Sequence, residues 1–241
     1  MSRVVHYLNQ FFAGFGGETA ASTPPGVKPG SVGPGKKLQE FLGAEHEIVA
    51  TVYCGDDLAA ASADAIAAVL ELVVQARPDI VVAGPASTSG RYGVACARVA
   101  AAAARAGIPA IASMHPENPG LDDAGAAPVV ASGASVREMG ASLERLGRAA
   151  RKRLAGEPLT EADGRIGKVP RKNVLVDRNA AGRAVDLLLA RLNGRDEPAE
   201  VPIPRFDHVA PAPPVADAAQ AVVALVTESG LVPVAARSDG R

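Results

Sequence analysis

The chain opens on a short β-branched apolar run at residues 3–8 (RVVHYL) that stops before a Gly-rich stretch, the pattern of a buried strand. Residues 13–37 change character. Glycines interleave there with Pro24, Pro25, Pro29 and Pro34, which predicts one long loop followed by a short helix over 36–42. Residues 46–53 alternate as a second strand. Ile66, Val69, Leu70 and Val73 share one face of a 3.6-residue period and predict a helix over 60–75, ended by Pro78. DIVVA (79–83) is a continuous apolar run, typical of a strand covered on both faces, and Gly84-Pro85 is expected to break it. An Ala-rich helix over 93–105 closes at Gly107. A strand over 108–113, a turn over 115–120 and a short apolar run at 128–131 follow. The last strong pattern is a helix over 134–154. Val136, Met139, Leu143 and Leu146 form its apolar stripe, and Arg145, Arg148, Arg151, Lys152 and Arg153 form its polar face.

Strands alternating with helices predict an α/β fold: a mainly parallel, doubly wound sheet with helices on both faces, a long Gly/Pro-rich N-terminal loop and an extended C-terminal tail. The expected organisation is an α/β domain over 1–156 and a helical extension over 157–193, marked by Val185, Leu188, Leu189 and Leu192. A Pro-rich linker over 194–220 and the start of a second domain over 221–241 (AVVALV at 221–226) complete it. Sheets of this kind bind ligands beyond the carboxyl ends of their strands. Three polar loops fall there, at 54–57, 84–92 and 114–120.

Composition narrows the function. Hydrophobic residues make up 48% and charged residues 21%, enough for a packed core. Aromatics are 3%, so that core is built from Ala, Val, Leu and Ile, and most of the aromatic side chains lie in the first 53 residues. They pack an N-terminal corner or form a partner surface. A formal net charge of −1 leaves no nucleic-acid footprint. No apolar run approaches the ~18 residues of a membrane span, and no secretory leader is legible, so a cytoplasmic protein is expected. The two cysteines and four histidines show no metal-ligand spacing.

Two glycine-rich segments fall short of nucleotide motifs. In GSVGPGKK (30–37) Lys37 stands where Ser or Thr would hold Mg²⁺, and GFGGET (14–19) lacks the third glycine. Better candidates lie at the strand ends. Cys54 precedes Asp56 and Asp57, whose charge would keep the thiol poorly activated, so Cys54 is expected to be structural or to line the substrate. Asp56 and Asp57 suit an ammonium group or partner contacts. Ser87, Ser89, Arg91 and Tyr92 sit where a helix begins. Backbone N–H groups there favour an anion, and Arg91 could clamp a carboxylate with two hydrogen bonds; an ordinary capped turn is the alternative. His115 with Glu117 is the candidate pair for proton transfer, and Asn118 beside them is a candidate substrate contact.

As a set, these blocks resemble the selenoprotein B subunit of the glycine/sarcosine/betaine reductases, a relative of the D-proline reductase counterpart. The blocks are HYLNQFFAGFGGE (6–18), VGPG (32–35), IVATVYCGD (48–56), DIVVAGPA (79–86), GRYGVAC (90–96), IPAIASMHPENPG (108–120) and ALVTESGLVP (224–233). The resemblance implies an oxidoreductase subunit that reductively cleaves the C–N bond of glycine, sarcosine or betaine. It implies a partner subunit carrying a pyruvoyl group, a second selenoprotein that receives the carboxymethyl group, thioredoxin as electron source, and an oligomeric complex. The reactive selenocysteine is placed by the resemblance beyond the ALVTESGLVP block, and none of the 241 residues is one. The chain is therefore expected to be the N-terminal half of such a subunit, without cofactor of its own and inactive alone. A non-catalytic α/β module binding a small carboxylic acid or a protein partner is the competing expectation.

Overall fold

The computed structural model describes residues 1–88, 90–167, 177–198, 208–217 and 219–222. The chain divides into two compact units, Met1–Arg171 and Lys172–Arg241.

The first unit is a six-stranded sheet. Its strands are β1 (Ser2–Asn9), β2 (Gly26–Pro29), β3 (His46–Cys54), β4 (Ile80–Ala86), β5 (Ala110–Met114) and β6 (Val129–Ala131), in the order β2-β3-β1-β4-β5-β6. All neighbours pair in parallel except β2 with β3. Counted among themselves, the five parallel strands follow the 2-1-3-4-5 order of a doubly wound sheet, whose direction of winding reverses between β1 and β4.

Alternate side chains divide between two layers. Val5, Tyr7, Val52, Val81, Ala83 and Ala112 pack with α3 (Ala63–Gln75) and α4 (Gly90–Arg105). Val4, Ile48, Ile80, Val82 and Ile111 pack on the other face with α1 (Gly35–Leu42) and α5 (Met139–Leu154). The helices therefore cover both faces, as the apolar run at 79–83 required. A short helix, α2 (Asp56–Ala61), follows β3, and Ser62 separates it from α3 by accepting the Ala65 N–H as its N-cap at 3.2 Å.

The structure departs from the sequence reading at several places: the helix expected over 60–75 is split at Ser62 into α2 and α3, the helix expected from 93 begins at Gly90, and three further differences concern β2, β4 and α5. The expected loop over 13–37 contains β2, which pairs antiparallel with β3 at the sheet margin. Gly84-Pro85 does not end β4, which runs on to Ala86. The ladder with β5 is irregular between Ala83 and Ala86, and there a proline's missing N–H does no harm. Finally, α5 starts at Met139, after a 3-10 turn over Val136–Glu138. That turn changes the helical phase, so Val136 is 64% exposed instead of buried.

His6 lies inside the sheet with no solvent exposure, donating from Nε2 to the Gly84 carbonyl at 2.7 Å. Its Nδ1 has no partner. A Cβ at Gly35 would come within 2.8 Å of that nitrogen, so only glycine lets α1 pack over the ring. Burial drives the imidazole pKa down to about 4, against the pull of the Gly84 hydrogen bond. At the far margin, the outer side of β6 is occupied: Ala131 N–H donates to Gly164 O and Ile166 N–H to Val129 O, both at 2.8 Å.

In the second unit, α6 (Ala180–Leu192) is capped by Asn179, whose side chain accepts the Gly182 N–H at 2.8 Å. Val185, Leu188, Leu189 and Leu192 form its exposed apolar stripe. The strand expected over 221–226 lies outside the described residues from Val223 on.

Candidate functional site

The crest of the sheet gathers the carboxyl ends of all five parallel strands. At the reversal between β1 and β4 it holds a cavity of about 170 Å³. From β1 and the loop after it come Asn9, Phe11 and Phe12. From β4 come Ala86 and Ser87, and from the first turn of α4 comes Tyr92. The remaining wall is the passage from β6 into α5, where Ser132, Ser135 and Met139 line the space. Among the described residues, no charged side chain lines it.

Phe12 stands between two other rings, 5.3 Å from Phe11 edge-on and 5.7 Å from Tyr92. Phe11 is 56% exposed, whereas Tyr92 is buried. Ser132 is fixed, its hydroxyl donating to the Ala86 carbonyl. Ser135 occupies the N-cap position of the 3-10 turn but does not cap it, so its hydroxyl is available beside the first N–H groups of that turn.

Behind the cavity, Asn9 and Gln10 seat a buried carboxylate. Asn9 Nδ2 donates to Asp56 Oδ2 at 2.9 Å and Gln10 Nε2 at 3.4 Å, while Gln10 Oε1 accepts the Asp56 N–H at 2.9 Å. Asp56 Oδ1 is left without a partner. Burial raises the Asp56 pKa, and the Asn9 and Gln10 hydrogen bonds partly oppose it. The hydroxyl of Tyr7 is also buried and unpartnered, close enough to Cys96, Cys54 and Asp56 for their charges to add to the burial that raises its pKa.

The residues singled out from sequence fall into three groups on this one crest. Ser87 and Tyr92 line the cavity. Asp57 and Arg91 form a surface cluster with Glu18. Arg91 Nη2 contacts both Glu18 carboxylate oxygens at 2.7 Å, and Nη1 donates to Asp57. His115, Glu117 and Asn118 make up the third group, on the turn after β5. Asn118 is 2% exposed; its Nδ2 donates to Ser87 O and its Oδ1 accepts the Gly120 N–H, each at 2.8 Å. His115 N–H donates to Ala86 O at 3.1 Å, and its ring Nδ1 accepts the Glu117 N–H at 3.2 Å. Ser89 lies outside the described residues.

Cys54 is buried and its thiol is pushed up to about 11, chiefly by burial; burial also raises Cys96 well above its ordinary value. Neither thiol is ionised at neutral pH. Among the described residues, no group of three or more His, Cys, Asp or Glu is placed to hold a metal ion.

Sequence reasoning missed Asn9, Gln10, Phe11 and Phe12 at the tip of β1, and Ser132 and Ser135 after β6. The carboxyl-end rule that selected the other three loops applies equally to these two.

The family model for glycine/sarcosine/betaine reductase selenoprotein B (GRDB) matches residues 1–238. The chain belongs to this family. Among curated proteins it is 43% identical over 234 residues to the glycine reductase complex component B subunit gamma of Symbiobacterium thermophilum. It is 42% identical over 236 residues to the subunit of the same name from Carboxydothermus hydrogenoformans. It is 41% identical over 239 residues to the sarcosine reductase complex component B subunit beta of Peptoclostridium acidaminophilum. Each alignment covers 96% of this chain and 54% of the relative, so the selenoprotein B-family chain spans about half the length of the curated relatives it matches. No solved structure matches it. Among the described residues, no helix is long and apolar enough to cross a membrane.

Proposed function

We propose that this chain is the substrate-holding portion of a component B subunit in a reductase complex that cleaves the C–N bond of glycine, sarcosine or betaine. The observation that carries the reading is the uncharged cavity at the β1/β4 reversal of a selenoprotein B-family chain. A zwitterion enters it with its carboxylate toward the Ser87 and Ser135 hydroxyls, which line the same space. Asn9, held by Asp56, completes the polar wall.

His115 lies one hydrogen bond from the cavity wall, through Ala86. With Nδ1 occupied by the Glu117 N–H, its Nε2 is the atom that exchanges a proton with the departing amine. Arg91 already carries two carboxylates, so we assign it to bracing the loop at Glu18 against Asp57. In this reading Asp56 orders Asn9, Asp57 belongs to the partner-facing rim and Cys54 packs beneath it. A selenocysteine and the pyruvoyl group of a partner subunit supply the bond-breaking chemistry, with a second selenoprotein and thioredoxin completing the cycle in the cytoplasm.

The test is a titration of the chain with glycine, sarcosine and betaine, followed by backbone-amide NMR. Saturable shifts at Ser87, Ser135 and Val136 are expected with at least one of the three. An absence of shifts with all three at millimolar concentration overturns the assignment.

A further inference from the structure

Resting on that assignment of the cavity, we propose that its aromatic wall selects an N-methylated ammonium, so that Phe11, Phe12 and Tyr92 are specificity-determining residues favouring betaine over sarcosine and sarcosine over glycine. Two observations carry this. First, three rings meet at one small space, Phe12 between Phe11 and Tyr92 with centroid separations of 5.3 and 5.7 Å and interplanar angles of 73° and 46°. The face of each such ring is negative, and a cation lying over it is attracted, which is how aromatic walls recognise quaternary ammonium groups. Second, among the described residues no charged side chain lines the cavity. A primary ammonium brings three N–H donors that need acceptors, and leaving them unmet costs free energy. A trimethylammonium brings none. It spreads its charge over methyl groups that pack against Phe12, Tyr92 and Met139.

The polar atoms of the cavity suit the other end of the same molecule. Ser87 and Ser135 bring hydroxyls that suit a carboxylate. The site is thus divided between an apolar aromatic side and a donor side, which matches a betaine. The exposure of Phe11 fits the same account: a phenyl ring 56% open to solvent contributes little to the core, yet borders the cavity.

The experiment is isothermal titration of the full 241-residue chain with betaine, sarcosine, glycine and tetramethylammonium chloride. Betaine is expected to bind roughly tenfold more tightly than glycine, with sarcosine between them and tetramethylammonium detectable by itself. Phe11→Leu and Phe12→Leu should each weaken betaine binding severalfold more than glycine binding and so erode the betaine-to-glycine ratio, and Tyr92→Phe, which keeps the ring, should preserve it. Phe11→Leu alters an exposed side chain and keeps the test valid if Phe12→Leu fails to fold. Glycine binding as tightly as betaine, or an unchanged ratio in the Phe11→Leu protein, overturns the selectivity while leaving the site in place. Failure of all three zwitterions to bind removes the site itself.

Discussion

His6 makes the first unit sensitive to acid in a calculable way. Its imidazole is enclosed by the sheet and α1, with a folded pKa of about 4 against an ordinary 6.5. Between those values the unfolded chain binds the proton and the folded chain does not. Stability contributed by the neutral ring is therefore complete above pH 6.5 and is lost as the pH falls toward 4. The full difference corresponds to about 3 kcal/mol, and the part expressed between pH 7.5 and pH 5 to about 2 kcal/mol. For a chain of this size that is a fall in Tm of roughly 4–8 °C. Replacement by glutamine retains a donor for the Gly84 carbonyl and removes the titration. The assay is urea unfolding of wild type and His6→Gln at both pH values. Asp163, held down to about 2 by its hydrogen bonds with Lys152 and Thr160, titrates below this window. Asp56, whose pKa burial raises, contributes with the opposite sign equally in both proteins. The wild type should lose about 2 kcal/mol more than the variant over that interval. Equal losses in the two proteins would refute the buried neutral imidazole.

Two further changes probe the crest. Asn118→Ala removes the tie between Ser87 and the Gly120 turn and should cost about 2–3 kcal/mol, read as a fall in Tm with weakened zwitterion binding. An unchanged Tm with binding abolished would instead make Asn118 a direct ligand contact. Tyr7→Phe deletes a hydroxyl that is buried without a partner and should stabilise the chain by about 1 kcal/mol in chemical denaturation; a loss of stability would contradict its unpaired state.

Much of the sheet was legible because parallel strands covered on both faces must be apolar throughout. RVVHYL and DIVVA could hardly be anything else, and Ile66, Val69 and Val73 point the same way along α3. β2 was not legible, since its four residues carry one aliphatic side chain, Val27, and that is 47% exposed. Its existence depends on β3, which is distant in sequence. The crest as the place of the site follows from strand polarity alone. What each side chain does there does not. Nothing near Arg91 in the chain announces that Glu18, 73 positions earlier, will occupy its guanidinium. Likewise the pairing of Asn118 with Ser87 appears only once β4 and β5 are side by side.

The two margins of the sheet bear on how a complex can be assembled. At one, β2 offers only four residues and ends in Pro29, which has no N–H to give; at the other, residues 164–166 already sit along β6. Among the described residues a neighbouring strand would find only the short outer side of β2 to extend, a poor template for β-augmentation. A subunit docking on the first unit would then meet loops and helix surfaces, and could come and go without disturbing the backbone hydrogen bonds that hold the unit together.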